Sequence, residues 1–450
     1  MKLVALNGLL GYGYRQMSLE NAFLDPPDFV GVDGGSSDPG PYYLGSGHSF
    51  TNRSAVKRDL QLVLPLALKA GAPLVVGTSG GSGSRKHLHW LREIVLEIAR
   101  EENLSFQMAL IYTDVEKSAV LEKFAAGKIH DMGPLSVTEK DILDSNCIVS
   151  QIGAEPFLEA LRSGAQVVLA GRACDTAIYA APCLLHGYDP GLSFHMAKIM
   201  ECGAMCATPV AAADVMQAWM EKDHFRLTPA NPDRKCLVPG VAAHSMYEQA
   251  DPRYLVEPDG TVDLTGCQFT QLDDRTVKVS GSRWIPATQP TLKLEGTKLA
   301  GYRTISIAGI QDPYTIARID ALFAGVQAFV AQNTAGRYTS DDYTLSLRKY
   351  GTPIPGTEVP ALPTCTLGIV LDAVAKTQEI ADEITALARA RLLHFDYTGR
   401  KSTAGNLAFP YSPSDIHLGA VYTFSLYHLM EVDSLMETSR IVYEKVGECK

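Results

Sequence analysis

Pro73-Leu-Val-Val-Gly-Thr-Ser-Gly-Gly-Ser-Gly-Ser84 is the stretch of sequence that decides the fold. It begins with a short apolar run and continues directly into a loop of glycine, serine and threonine. An apolar run this short, without alternating polar residues, is typical of a strand buried on both faces of a sheet. The stretch therefore predicts a parallel strand whose carboxyl end opens into a loop, where ligands bind in open parallel sheets.

The same pattern recurs along the first half of the chain, where short apolar runs alternate with helical periodicity. In Arg53–Ala70, for example, Val56, Leu60, Val63 and Ala67 fall on one helical stripe. This alternation predicts an α/β domain with a mostly parallel sheet and helices on both faces. The strand candidates are Lys2–Asn7, Asp28–Asp33, Pro73–Gly77, Met108–Thr113, Cys147–Ile152 and Ala165–Ala170.

The remainder of the chain has a different pattern of predicted strands and helices. Residues 235–287 are rich in strand-forming residues and turn signals such as Glu257-Pro-Asp-Gly260, and they predict a β-rich section. From residue 288 onward, strand candidates alternate with the amphipathic helices Tyr314–Ala331 and Gln378–Leu393. We therefore expect an α/β domain over residues 1–287 that carries the ligand cleft, followed by a smaller α+β domain over residues 288–450.

The composition narrows the class of protein. The 450 residues are 46% hydrophobic and 20% charged, which is typical of a globular protein, and the net charge is −10. This negative charge disfavours nucleic acid and anionic membranes as partners, and no apolar run reaches the roughly 18 residues needed to span a bilayer. The nine cysteines are odd in number and form no CxxC pair, which favours reduced thiols and a cytoplasmic location.

The loop after the third strand candidate is the strongest candidate for an anion-binding site. Glycines allow backbone N–H groups to line a concavity, and the N-terminus of the following helix adds positive potential. Arg172 is expected to clamp a carboxylate through two N–H groups. The alternatives are a tight strand-to-helix turn and a structural pair between Arg172 and Asp175. The predicted substrate- or anion-binding residues are Ser36, Ser37, Thr78, Ser79, Gly80, Gly81, Ser82, Gly83 and Arg172.

Acidic residues follow the strand candidates at the same predicted edge and indicate acid/base chemistry. Asp33 and Asp38 lie in a glycine-rich loop, and Asp175 closes the loop after the sixth strand candidate. Carboxylates in such loops serve as general bases or as ligands of divalent metals. A predicted helix over residues 192–208 adds two further residues that are expected to reach the cleft. The catalytic candidates are Asp33, Asp38, Asp175, Glu201 and Lys198.

The helix of residues 192–208 also carries His195, Cys202 and Cys206 near one stripe. Their spacing matches no zinc-binding signature, so we predict no metal-binding residues and no cofactor. A divalent metal at the carboxylates is kept as an alternative. We expect the loops of residues 33–47, 77–85 and 171–175 to meet at one sheet edge, because each follows a buried strand.

Several of these segments resemble motifs of the bacterial acyclic-terpene-utilisation (AtuA-like) family, over most of the chain. The similarity is carried by Val32-Asp-Gly-Gly-Ser-Ser-Asp-Pro-Gly40, Gly77-Thr-Ser-Gly-Gly-Ser-Gly83, Ala170-Gly-Arg-Ala-Cys-Asp175, Glu201-Cys-Gly203 and Gly301-Tyr-Arg-Thr-Ile-Ser-Ile-Ala-Gly309. The resemblance implies a place in the catabolism of terpenoid and other branched carboxylic acids, often as CoA thioesters. It also implies a small companion subunit, which we expect to be a separate protein, and it supplies no catalytic residue to transfer.

The sequence thus predicts a cytoplasmic catabolic enzyme or enzyme subunit that acts on a small carboxylate or an acyl-CoA thioester. Acid/base groups with charge stabilisation suit hydration and dehydration, so a lyase of the hydratase type is favoured. The first alternative is a metal-dependent hydrolase that uses Asp33, Asp38, Asp175 or His195. The second is a non-catalytic ligand-binding subunit that works with the small companion. We also expect the chain to form a homo-oligomer.

Overall fold

The structure is a computed structural model that describes residues 1–134, 136–351, 366–400 and 405–447. The chain divides into two compact units. The first unit consists of Met1–Lys298 and Phe424–Lys450, and the second consists of Leu299–Thr423. In the described ranges, no helix is long and apolar enough to cross a membrane.

The described residues form the strands and helices given below, which alternate along the first half of the chain. The strands are β1 (Lys2–Asn7), β2 (Phe29–Asp33), β3 (Leu74–Gly77), β4 (Phe106–Tyr112), β5 (Ile129–Asp131), β6 (Cys147–Gln151), β7 (Val167–Ala170), β8 (Ala207–Thr208), β9 (Asp214–Met220), β10 (Phe225–Pro229), β11 (Lys235–Cys236), β12 (Tyr254–Glu257), β13 (Gly260–Asp263), β14 (Gln268–Gln271), β15 (Val277–Ser280), β16 (Arg283–Pro286), β17 (Thr291–Ile310), β18 (Tyr343–Tyr350), β19 (Leu367–Ala375), β20 (Asp415–Glu431) and β21 (Arg440–Val446). The helices are α1 (Gln16–Phe23), α2 (Pro41–Ser46), α3 (Arg53–Ala70), α4 (Arg85–Glu101), α5 (Lys117–Ala125), α6 (Glu139–Asp144), α7 (Glu155–Arg162), α8 (Asp175–Leu185), α9 (Pro190–Glu201), α10 (Val238–Ser245), α11 (Pro313–Ile316), α12 (Ile319–Thr334) and α13 (Gln378–Leu393).

The main sheet of the first unit has a parallel centre and antiparallel margins. Strands β1, β2, β3, β7 and β4 lie side by side in this order and run parallel to one another. Beyond β1, the strands β9, β10, β15 and β14 continue the sheet in antiparallel pairs. At the other margin, β21 pairs antiparallel with β4.

Two sequence-based expectations about this sheet are therefore corrected. The sheet is mixed, not mostly parallel, because β14 and β15 from the β-rich section and β9 and β10 join it in antiparallel pairs. The strand candidate Cys147–Ile152 forms β6 but lies outside this sheet, since it pairs antiparallel with Lys293–Thr297 of β17. A buried apolar run indicates a strand but not its neighbour, which depends on segments far along the chain.

Helices cover both faces of the parallel centre. Residues of α1, α3 and α4 pack on one face, and residues of α7, α8 and α9 pack on the other. Successive residues of a strand alternate between the two layers, so Val76 packs with α3 and α4 whereas Val75 packs with α8. The stripe predicted for α3 is confirmed, because its four apolar residues are fully buried. The parallel strands thus bury both faces, as their apolar sequences predict.

The predicted meeting of three loops at one sheet edge is confirmed. The strands β2, β3 and β7 are neighbours, so their carboxyl ends are adjacent. The amide of Gly34 donates to the carbonyl of Gly77 at 2.8 Å, and the amide of Ala173 donates to Oγ1 of Thr78 at 3.2 Å. The loops after the three strands are therefore joined to one another by hydrogen bonds.

The second unit has its own core. Its part of β17 pairs antiparallel with β19 through Tyr302–Ile310, and β18 pairs antiparallel with the other side of β19. Helix α13 packs against β19 and α12 packs against α13, and buried residues such as Leu322 and Ile384 share one apolar core with Ile369. This is a small α+β arrangement of strands and covering helices.

We predict that Gly83→Ala destabilises the protein far more than Gly71→Ala does. Both glycines have left-handed backbone angles, with φ values of +68° and +71°, so alanine adds roughly 1–2 kcal/mol of strain at either position. A Cβ at Gly83 would also lie 2.1 Å from the amide nitrogen of Arg172, whereas nothing lies within 4 Å of one at Gly71. At Gly83 alone, the steric overlap should lower the free energy of unfolding by roughly a further 1–3 kcal/mol. Urea unfolding of both variants is the measurement.

Gly71→Ala is the matched control for backbone strain. Equal losses of unfolding free energy in the two variants would contradict the close packing of the loops of residues 77–84 and 171–175.

Candidate functional site

The carboxyl edge of the parallel strands brings polar side chains from several elements together. Asn7 is the last residue of β1, and Asp33 is the last residue of β2. Arg172 follows β7, and Asp175 is the first residue of α8. Because neighbouring parallel strands end on the same side of a sheet, these side chains lie in one region. Their charges act on one another, as the following contacts show.

The glycine-rich loop of residues 77–84 is buried along its whole length. Two of its amides are engaged internally, since Gly81 donates to the carbonyl of Thr78 and Gly83 donates to that of Ser79. The loop is thus a packed connection between β3 and α4, and close contacts account for its glycines. Anion binding by this loop was predicted from the same glycines and stays a prediction.

The other residues of this loop face protein atoms as well. The hydroxyl of Ser79 donates to the carbonyl of Ala170 at 2.7 Å, and a Cβ at Gly80 would lie 2.8 Å from Cβ of His87. Thr78 has a left-handed φ of +39°, and its hydroxyl donates to the carbonyl of Ala173. Among the described residues, the hydroxyl of Ser82 finds no hydrogen-bond partner.

The guanidinium of Arg172 is committed to a buried carboxylate. Its Nε and Nη2 donate to the two carboxylate oxygens of Glu295 at 3.0 and 3.2 Å, and both side chains are at most 3% exposed. The third guanidinium nitrogen, Nη1, donates to the carbonyl of Ala173 at 3.1 Å and lies 3.9 Å from Oδ1 of Asp175. Despite burial, the cations Arg172 and Lys293 lower the pKa of Glu295 to about 2. The bidentate contact predicted for Arg172 therefore exists, but its partner is Glu295 of the same chain and not a ligand.

The loop after β2 forms a turn of its own. The hydroxyl of Ser36 donates to Oδ2 of Asp38 at 2.7 Å, and the amide of Asp38 donates back to that hydroxyl. Asp38 is exposed, while Ser37 is buried and its carbonyl accepts from the amide of Gly40. The charge of Asp38 still reaches the site, since it helps to raise the pKa of Asp175. Asp38 thus lies at the rim.

Asp33 and Asp175 form the acidic centre of the site. Burial, followed by the charge of Asp175, raises the pKa of Asp33 well above its usual range, although the amide of Gly35 donates to its Oδ1 at 3.1 Å. Burial and the charge of Glu201 raise the pKa of Asp175 to about 7, against the opposing effect of Arg172. Asp175 is a third exposed, so it can exchange protons with solvent.

The end of α9 supplies Lys198 and Glu201, which are one helical turn apart. Lys198 Nζ donates to Oε1 of Glu201 at 2.5 Å, lies 3.6 Å from Glu248, and lies 5.1 Å from the centre of the Tyr247 ring. Burial raises the pKa of Glu201 despite this cation. The pKa of Lys198 is also raised, because Glu201 and the neighbouring acids outweigh its burial. The charges of both predicted residues act on Asp175, where Glu201 raises and Lys198 lowers its pKa.

Glu257 is a site residue that the sequence analysis missed. It is the last residue of β12, it is buried, and its Oε2 accepts from the hydroxyl of Thr176 at 2.9 Å. Burial raises its pKa to about 8, and the charges of Asp259 and Asp175 act in the same direction. A signal existed in the sequence: Leu255 and Glu257 are two residues apart in a strand, so both face inward.

Several polar atoms of the site have no hydrogen-bond partner in the described part of the chain. They include Oδ1 of Asn7, Oδ1 of Asp175 and the hydroxyl of Tyr179. Tyr179 is fully buried in α8, and the charge of Asp33 adds to the burial that raises its pKa. Asn7 is 1% exposed, and its amide nitrogen donates to the carbonyls of Met200 and Glu201. Buried polar atoms of this kind are suited to hydrogen bonding with a ligand or water.

The site offers no ready metal centre within the described ranges. There, no three His, Cys, Asp or Glu side chains are arranged to hold a metal ion. His195 is fully buried away from solvent, with its ring nitrogens beside the hydroxyls of Ser282 and Ser245 at 2.7 and 2.9 Å. Burial lowers its pKa to about 3, so the ring is a neutral core group.

A cavity of about 330 Å³ opens at the same sheet edge, beyond β7. Its lining includes Ser84, Arg85 and Asp114, and the last of these follows β4, the neighbour of β7. Asp114 accepts a hydrogen bond from the amide of Arg85 at 3.0 Å. The residues that line this cavity include none of Asp33, Asp175 and Glu257.

A comparison with protein families assigns this chain to a known family. The family model described as acyclic terpene utilisation family protein AtuA matches residues 51–220 and 229–402. The match covers most of the chain and confirms the resemblance drawn from the loop motifs. No curated protein and no solved structure matches the chain.

We predict that Asp175→Asn and Glu257→Gln raise stability at high pH and leave it unchanged at low pH. Both acids have folded pKa values, about 7 and about 8, above those of the unfolded chain, so the folded state binds their protons more tightly. The two acids do not lower the stability of the folded state at pH values below about 4, where they are protonated in both states. As pH rises toward 8, their ionisation progressively lowers the free energy of unfolding. At about pH 8.5 each variant should gain roughly 1–3 kcal/mol over the wild type.

The measurement is urea unfolding between about pH 5 and pH 8.5, where the gap between variant and wild type should widen. A pH-independent gap would contradict the raised pKa values.

We also predict that Glu295→Gln destabilises the protein by about 3–5 kcal/mol, because it leaves the buried guanidinium of Arg172 without its counter-charge. Unfolding free energy is the measurement. Asp144→Asn is the matched control, since it breaks the exposed pair with Lys140 and should change stability little. Similar small effects of both substitutions would show that Arg172 does not depend on Glu295.

Proposed function

Because the chain belongs to the acyclic terpene utilisation (AtuA) family, we propose that it acts in the catabolism of acyclic terpenoid or related branched acids. Within that role, we propose acid/base catalysis on a small carboxylate or acyl thioester, with hydration or dehydration as the reaction. The family match supports the first statement. The carboxyl groups at the sheet edge support the second.

The observation that carries the proposal is the pair of carboxyl groups that titrate near neutral pH. The pKa values of Asp175 and Glu257 are about 7 and about 8, and the charge of Asp175 helps to raise the pKa values of both Asp33 and Glu257. Acid/base catalysts work best when their pKa lies near the operating pH. Carboxyl groups held at different pKa values allow one to accept a proton while another donates one.

The proposal assigns roles by protonation and access. Asp175, which is partly exposed and has the pKa nearest to neutral, is the proposed base that removes a proton beside the substrate carbonyl. Glu257 is protonated at neutral pH and is the proposed acid for the departing hydroxyl. In the reverse direction the two exchange roles, as microscopic reversibility requires.

Charge stabilisation is assigned to Lys198. Its ammonium is partly neutralised by Glu201 and remains protonated, since those contacts raise its pKa. A cation at this place would stabilise negative charge that develops on a carbonyl oxygen. Arg172 is a positioning residue in this scheme, because Glu295 holds its guanidinium.

The companion subunit, the oligomer and the absence of a cofactor belong to the same proposal. A non-catalytic binding subunit is the competing function, in which the partner supplies the reaction. Assays of the chain alone and together with its companion distinguish the two.

We predict that Asp175→Asn and Glu257→Gln each lower kcat by roughly a hundred- to ten-thousandfold, the range for loss of a general acid or base. The assay follows the conjugated absorbance of branched 2-enoyl thioesters, with the matching 3-hydroxyacyl thioesters for the reverse direction. Glu101→Gln on the exposed surface of α4 is the matched control and should behave like the wild type.

Wild-type turnover in Asp175→Asn or Glu257→Gln contradicts the proposal. Thioester binding without turnover, in the presence of the companion, favours the non-catalytic function.

A further inference from the structure

The serine that precedes α4 is hydrogen-bonded to an imidazole. Oγ of Ser84 lies 2.7 Å from Nδ1 of His87, and Nε2 of the same ring lies 2.9 Å from the carbonyl oxygen of His48. A carbonyl oxygen only accepts hydrogen bonds, so Nε2 carries the ring proton and donates it. In the neutral ring Nδ1 is then an acceptor, and the hydroxyl of Ser84 donates to it.

This pair has the arrangement of a nucleophile and its base. A serine hydroxyl becomes nucleophilic when an adjacent imidazole can take its proton and a third group orients that imidazole. Here the carbonyl of His48 is the orienting group. His87 is fully buried, and burial lowers the pKa of its ring, so the ring is neutral and can accept a proton at neutral pH.

Ser84 lines the cavity of about 330 Å³, together with apolar side chains such as Leu44, Val115 and Ile148. Ser84 is the N-cap residue of α4, but its hydroxyl makes no capping hydrogen bond to the helix and is directed to His87 instead. Capping, the usual reason for a serine at this position, therefore does not explain it. The cavity is at the lower end of the volumes of small-molecule sites, and its apolar side chains suit a short acyl chain.

Two further groups at this cavity fit the chemistry of acyl transfer. Amides in the first turn of a helix have no acceptor within the helix and carry positive potential. The amide of Arg85 donates to Oδ1 of Asp114 at 3.0 Å, so the next amide, that of Lys86, is the donor suited to a developing oxyanion. In the described part of the chain, Oδ2 of Asp114 has no hydrogen-bond partner, and it can accept from a water molecule or a ligand hydroxyl.

From this hydrogen-bonded pair at a cavity, we propose that Ser84 is the nucleophile of a second active site, which hydrolyses oxygen esters of short-chain carboxylic acids. The inference goes beyond the proposed function, because none of the acids assigned to hydration lines this cavity.

The reaction proceeds in two steps through the same base. In the first step, Oγ of Ser84 attacks the carbonyl carbon of the ester, and its proton passes to Nδ1 of His87. The C–O bond of the ester then breaks, and His87 gives the proton to the departing alcohol. In the second step, water attacks the acyl group on Ser84 and gives a proton to His87, which returns it to Oγ as the carboxylic acid leaves.

The test treats the full chain with p-nitrophenyl butyrate and with a fluorophosphonate probe. The wild type should release p-nitrophenolate, and mass spectrometry should find the phosphonyl group on Ser84, with fluoride as the leaving group. Ser84→Ala should abolish both reactions. Because Ser84 makes no capping bond, this substitution should change the unfolding free energy little. Ser54→Ala, at an exposed serine of α3, is the matched control and should behave like the wild type.

Two further variants test the base. His87→Gln should slow labelling of Ser84 by roughly a hundred- to ten-thousandfold, the range for loss of a general base. Ser84→Cys leaves the buried ring unchanged and places a thiol beside it. At about pH 7 that thiol should react with iodoacetamide at least about tenfold faster than Cys147, which lines the same cavity and whose pKa is raised by burial to about 12.

Failure of the probe to label Ser84, or ester hydrolysis that persists in Ser84→Ala, overturns the inference. So does labelling of His87→Gln at the wild-type rate, or a thiol in Ser84→Cys that reacts no faster than Cys147. In those cases the contact between Ser84 and His87 only fixes the first turn of α4.

Discussion

The buried ion pair between Arg172 and Glu295 is the interaction on which the site depends. Two opposite charges that are almost inaccessible to water stabilise each other only while both hydrogen bonds are intact. The pair fixes Arg172, two residues after the end of β7, and through it the carbonyl of Ala173 and the start of α8 at Asp175. Because the loop of residues 77–84 is bonded to the same segment, the pair also holds the connection after β3.

The fold compensates for a site that opposes folding at neutral pH. Raised pKa values mean that ionisation of Asp175 and Glu257 is less favourable in the folded protein than in the unfolded chain. The parallel strands of the main sheet are apolar and almost entirely buried, with helices on both faces. The hydrophobic layers therefore supply stability, and the strand ends carry groups that a stability criterion alone would not place there.

The sequence predicted the edge of the site better than its interior contacts. Asp33, Asp175, Lys198 and Glu201 could be assigned to one region because strand ends and helix periodicity are local signals. The partner of Arg172 could not, since Glu295 lies more than a hundred residues away on a strand whose pairing is non-local. For the same reason Cys147–Ile152 was assigned to the wrong sheet, and Glu257 was interpreted only as part of a turn.

The position of α9 depends on one side chain that joins segments far apart in the sequence. A helix ends with carbonyl groups that have no partner within the helix. Asn7, at the end of β1, donates from its amide nitrogen to two of these carbonyls, those of Met200 and Glu201. This contact attaches the last turn of α9, and with it Lys198, to the edge where Asp33 and Asp175 lie. The same asparagine leaves its amide oxygen unpartnered, so the residue that positions the helix also presents a neutral acceptor to the site.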